Sequence, residues 1–156
     1  MKVEAAIHSL LEPLFEVLPL EQAMPALVPS RPGAKVNLDQ VTRLIQTPEI
    51  QVKPLLGAAL WLYVDDIDQA HRICQDDPSS FGAIWHGVVH RREGDFWNSR
   101  YWFRRVGPDS EISGEELVKF VDVVEKHATT NPRHLLDAQR QEWVRLFELT
   151  AQRYGI

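Results

Sequence analysis

The chain has 156 residues, 44% of them hydrophobic and 25% charged, with a formal net charge of −5. This composition predicts one soluble globular domain over residues 1–156, and the acidic balance argues against nucleic acid as a partner, because phosphates need a basic face. The single cysteine, Cys74, excludes an intrachain disulfide and a zinc ribbon, and it fits a reducing cytoplasm.

The N-terminal residues include Glu4 and His8 with no unbroken apolar region after them, so no secretory leader is expected. The longest apolar run, Pro54 to Val64, falls short of the ~20 residues that a membrane helix needs. No membrane partner is expected. Phosphate-cradling glycine loops and a Gly-x-Ser-x-Gly elbow are absent, as is an internal repeat.

In chain order, Val3 to Leu18 has helix-spaced apolar residues, with Pro13 expected to kink or divide it. Residues 25–36 hold Pro25, Pro29, Pro32 and Gly33 and read as a connecting loop. Asn37 is expected to cap a helix to about Gln46. A further helix should open at Pro48 and bend at Pro54. Asp66 and Gln69 form a capping pair for a helix to about Gln75. Residues 76–80 make a turn and a new cap, and a helix over 81–92 ends near Gly94. Residues 95–106 follow as a helix closed by Gly107-Pro108. Ser113 to Glu116 is a capping box for a helix over 117–128. Asn131 and Pro132 are a cap and first helical residue for a last helix to about Tyr154. No stretch alternates with period two. The expected fold is therefore all-α, a compact bundle of about seven or eight helices. The helix at 95–106, aromatic on nearly every side, is expected to be central, with Trp102 and Phe103 almost fully buried.

Residues 81–106 concentrate chemistry. They hold three of the five tryptophans (Trp85, Trp97, Trp102), the arginines at 91, 92, 100, 104 and 105, and the pair His86 and His90. On a helix of ~100° per residue, His86, His90 and Glu93 share one side, among the small residues Gly82, Ala83, Gly87 and Gly94. Such small neighbours leave room for a ligand or for a close helix. Asp68 and His71, three apart on the preceding helix, complete a nitrogen–oxygen donor set of the kind that suits iron, manganese or zinc. The spacing differs from the zincin motif, since Gly87 stands where its glutamate would be. If a metal binds, the candidate ligands are His86, His90 and Glu93, with Asp68 or His71. Arg92, Asn98, Tyr101, Arg104 and Arg105 would then contact the ligands or a polar or anionic small molecule. A metal-bound water would open hydrolytic chemistry.

Blander readings stand beside this one. His86, His90 and Glu93 also fit a solvated face with a His–Glu pair. Asp68 fits an acid at a helix N-terminus, and His71 a core histidine. Arg91 and Arg100 read as surface charges. Arg92 and Arg105 fall on apolar or buried positions, so each should meet an acid among Asp65, Asp66, Asp68, Glu93 and Asp95. Two rivals to a metal or small-ligand site remain: a metal-free module binding an anionic small molecule through the arginines, and a structural or interaction protein whose residues 86–98 are fully paired with one another.

The string Trp85-His86-Gly87, His90-Arg91-Arg92-Glu93-Gly94-Asp95, Asn98 and Tyr101 to Gly107, with Asp65, Asp66, Asp68 and His71 before it, resembles the signature of an uncharacterised family of small bacterial and fungal proteins. The resemblance covers residues 65–107. It brings no established activity and implies only that these residues belong together.

Overall fold

A computed structural model of the chain describes residues 1–107 and 110–153. Among the described residues there are nine helices and no strand: α1 (Ala5–Val17), α2 (Lys35–Leu44), α3 (Pro48–Gln51), α4 (Pro54–Tyr63), α5 (Ile67–Cys74), α6 (Ser80–Arg92), α7 (Phe96–Phe103), α8 (Gly114–His127) and α9 (Arg133–Arg153). The fold is all-α, as expected. Its helix count exceeds seven or eight because Pro54 starts a helix rather than bending one. Proline has no N–H to donate, and at the first helical position that loss is harmless. Pro13, by contrast, stays inside α1 without dividing it. It lies on the exposed side, where a missing helical hydrogen bond is tolerated, while Ile7, Leu11 and Leu14 face inward.

Two caps differ from expectation. Ala34, not Asn37, precedes α2, and Asn37 lies buried within the helix. Asn131 adopts a left-handed backbone (φ 48°), and its side chain accepts from the Leu27 N–H at 2.9 Å. The carbonyl of Pro132 takes the first helical bonds of α9, from Leu135 and Leu136. The expected caps at Asp66, Ser79 and Ser113 are formed by side chains that accept from Gln69, Gly82 and Glu116. Of the expected ends, Pro108 and Tyr154 lie outside the described residues.

The centre of the molecule is α4, not the 95–106 segment. Every residue of α4 after Pro54 is buried, and the helix packs against α2, α3, α5, α6 and α9. A helix apolar all round belongs in the middle of a bundle. The Trp143 indole donates to the Ala59 carbonyl at 2.8 Å and so fixes α9 along α4. The Trp85 indole donates to Thr150 Oγ1 at 2.9 Å and joins α9 to α6. α7 is shorter than expected and lies on the outside of α6. Only Ser99 and Phe103 are buried on it, Trp102 is partly covered, and Trp97 is 73% exposed. Its buried stripe is one i, i+4 pair, and its remaining aromatics form an outward face. One contiguous core draws on all nine helices. Among the described residues no helix is long and apolar enough to cross a membrane.

Candidate metal centre

α6 is buried from Gly82 to Arg92, although it carries His86, His90, Arg91 and Arg92. Buried polar groups must find partners, so the placement of these four defines the site. Arg92 is 1% exposed and donates to Asp65 Oδ1 at 2.6 Å, the Leu62 carbonyl at 2.9 Å and the Ala26 carbonyl at 3.1 Å. Asp65 is one of its expected acids, and it reaches inward from a left-handed backbone (φ 62°) just before α5. Arg91, expected at the surface, is fully buried. Its guanidinium grips Glu142 of α9 with two bonds of 3.0 and 2.7 Å and lies 4.7 Å from the Phe120 ring centre. No feature of the sequence around Arg91 distinguished it from a solvated arginine.

The histidines meet on the face of α6 turned to α5. The rings of His86 and His90, one turn apart, stack at 4.8 Å with 19° between planes. His71, projecting from α5, sets its ring edge-on to both, at 4.8 and 5.4 Å. Its Nε2 is 3.0 Å from Nε2 of His86. The three ligand atoms of His71, His86 and His90 lie within 4.8 Å of one another. In a tetrahedral zinc site with bonds of ~2.0–2.1 Å, neighbouring nitrogens are about 3.3 Å apart, so small side-chain rotations would fit these rings to an ion.

The cluster is enclosed. His86 is 5% exposed and is covered by Trp102, which stacks on it at 4.0 Å. Burial, reinforced by His90 and His71, lowers its pKa to about 4, so its imidazole is neutral and free to ligate at neutral pH. Nδ1 of His86 is buried without a hydrogen-bond partner among the described residues. His90 differs: its Nδ1 is bonded to the Glu93 carboxylate, which leaves Nε2 for the cluster. A carboxylate on the far nitrogen fixes the tautomer and ring orientation of a ligating histidine.

Gly87 of α6 serves a close helix rather than a ligand. A Cβ on Gly87 would overlap the Phe103 ring, and Ser99 Oγ donates to the Gly87 carbonyl at 2.7 Å. These contacts bring α7, and with it Trp102, onto the histidines.

The other candidates separate. Asp68 is exposed and outside both ligand groups. Glu93 groups with His90 and with Asp95, a residue that sequence reasoning offered only as an arginine partner. The signal was present in Glu93-Gly94-Asp95. Gly94 has φ 82°, and the turn bonds Gly94 N–H to the Arg91 carbonyl and Asp95 N–H to that of His90. This closure of a helix C-terminus folds the chain back over the last turn. Asn98 is held by Asp95, which accepts from its backbone N–H at 3.2 Å and its side chain at 2.6 Å. These bonds, the side-chain one foremost, keep the Asp95 pKa below the usual carboxylate range. Tyr101 is 43% exposed, and Arg104 is exposed. Arg105 forms no ion pair with any of its expected acids, Asp65, Asp66, Asp68, Glu93 or Asp95. It is exposed, with its guanidinium 5.5 Å from the Tyr101 and Trp102 ring centres, because this end of α7 faces outward. No family model, curated protein or solved structure matches the chain.

Proposed function

We propose that the protein binds a divalent transition-metal ion through His71, His86 and His90, with Glu93 orienting His90. The observation that carries this reading is the convergence of three imidazoles from two helices, two buried and one half-buried, with two Nε2 atoms 3.0 Å apart. Iron, manganese and zinc all take nitrogen–oxygen sets. With Asp68 outside the cluster, the imidazole-rich set favours zinc or iron over manganese. Three protein ligands leave a position for water or a small anion, and a water bound there by zinc would ionise near neutral pH.

The rivals fit less well. In an arginine-led anion site Arg92, Arg104 and Arg105 would lead, yet the terminal nitrogens of Arg92 are occupied by Asp65 and two carbonyls, and Arg104 and Arg105 lie exposed at the end of α7, away from Arg92. A purely structural network calls for full pairing within 86–98, and His86 Nδ1 has no partner among the described residues. The buried thiol of Cys74, its pKa raised to about 12 by burial, suits a reducing compartment such as the cytoplasm.

The test uses protein purified without a tag and stripped with chelator, titrated with zinc by calorimetry and with cobalt(II) by absorbance. Tight zinc binding and intense tetrahedral cobalt bands are expected. His71→Ala and His86→Ala should each keep the helical circular dichroism and weaken binding by ~100-fold or more. Wild-type protein that binds neither ion above background overturns the proposal.

A further inference from the structure

The proposed three-histidine site takes neither of the two carboxylates at its rim as a ligand. Glu93 and Asp95 flank Gly94, and their oxygens form a second group with a ring nitrogen of His90, all within 4.8 Å of one another. His90 belongs to both groups. Its Nδ1 points to Glu93, and its other nitrogen is left for the imidazole cluster.

The charge balance around this rim is uneven. The nearby arginines are engaged elsewhere: Arg91 with Glu142, Arg92 with Asp65, and Arg100 with Asp122 and Glu125. Among the described residues neither Glu93 nor Asp95 forms an ion pair with a lysine or arginine. Two carboxylates with no lysine or arginine partner among the described residues therefore stand beside the histidine cluster, a field that attracts a cation. Asp95 is held in place by Asn98. Glu93 is exposed, so an ion could reach it from solvent.

We propose a second divalent-ion site made by His90 Nδ1, Glu93 and Asp95, with the His90 ring bridging it to the three-histidine site. This inference rests on the metal reading above. When Nε2 of His90 ligates the inner ion, the remaining ring proton is on Nδ1, where Glu93 accepts it. The second ion displaces it: the Nδ1–H bond breaks, the proton leaves to solvent, and the nitrogen lone pair goes to the ion. Glu93 and Asp95 each donate one oxygen, and water completes the shell. Metal binding that releases a proton is the general rule for such ligands.

The experiment counts ions per chain in metal-free protein. Zinc is measured by elemental analysis after saturation and gel filtration, and copper(II) is followed by electron paramagnetic resonance, since copper binds such donor sets most tightly. Two zinc ions per chain are expected. The first copper equivalent should give a full spin signal and the second should diminish it, because an imidazolate couples the two spins. Asp95→Asn leaves the Glu93–His90 contact untouched, keeps an acceptor for the α7 cap, and should bind one zinc only. One ion per wild-type chain overturns the second site and leaves the first standing. No ion at all overturns both. Two ions with uncoupled copper spins, or a second ion retained by Asp95→Asn, places that ion elsewhere and overturns the bridge. The copper measurement on wild-type protein decides the matter if Asp95→Asn does not fold.

Discussion

Replacing Asp65 by Asn should destabilise the protein by about 3–5 kcal/mol. The perturbation is narrow: Asn has the same shape, and it tolerates the left-handed backbone that Asp65 adopts at φ 62°. What changes is the charge opposite Arg92, a guanidinium only 1% exposed and 2.6 Å from the carboxylate. Without that charge, Arg92 keeps the Leu62 and Ala26 carbonyls but becomes an uncompensated buried cation. A loss of this size is a large part of the ~5–15 kcal/mol that holds a domain folded, and it corresponds to a drop of about 6–20 °C in Tm. Urea unfolding followed by circular dichroism measures it. Arg92→Met in the Asp65→Asn background should recover part of the loss, because it removes the stranded charge. An Asp65→Asn cost below about 1 kcal/mol, the range of exposed ion pairs, would refute the buried placement of Arg92.

The metal-free protein should lose stability between pH 6.5 and pH 4. His86 has a folded pKa of about 4 against 6.5 for a free imidazole, so the unfolded chain binds the extra proton and stability falls as pH drops, by about 3 kcal/mol in all. Urea midpoints across that range should fall less steeply for His86→Gln, and identical slopes would remove the basis for a buried neutral His86. Gly87→Ala should cost about 1–3 kcal/mol, since the added methyl meets the Phe103 ring. A Tm unchanged by this substitution would mean that α7 does not lie so close to α6.

Much of the architecture was legible because it is written in local signals. Asp66, Ser79 and Ser113 cap the helices that their spacing predicts, and Gly94 ends α6. The placement of helices in the bundle was harder to read. Aromatic content pointed to 95–106 as the centre, but aromatic rings can also form an outer face, as Trp97 and Tyr101 do. The run Leu55 to Tyr63, with no charge on any side, is the segment that could only be central. At the site, helical spacing put His86 and His90 on one face, and it offered Asp68 and His71 together from the helix before. Spacing within a helix says nothing about its rotation against a neighbour. That rotation turns His71 inward and leaves Asp68 in water.

The rotation of α6 itself has a physical cause in its arginines. At ~100° per residue, Arg91 lies about a quarter turn from His90, and Arg92 lies roughly on the opposite side. Each is fixed by a partner from another element, Glu142 of α9 for Arg91 and Asp65 before α5 for Arg92. Two ionic anchors on different faces leave the helix one orientation, and in that orientation His86 and His90 meet His71. Arg92 acts on the α5 side as well, because Asp65 sits at the start of the helix that carries His71. The same ion pair thus sets both helices that supply the imidazoles. A polar cluster that only filled space would not need such anchoring, since apolar side chains could fix the packing without burying charge. Preorganisation of three imidazoles within ligand distance is what the buried charges achieve here, and it is the property that a metal site needs before the ion arrives.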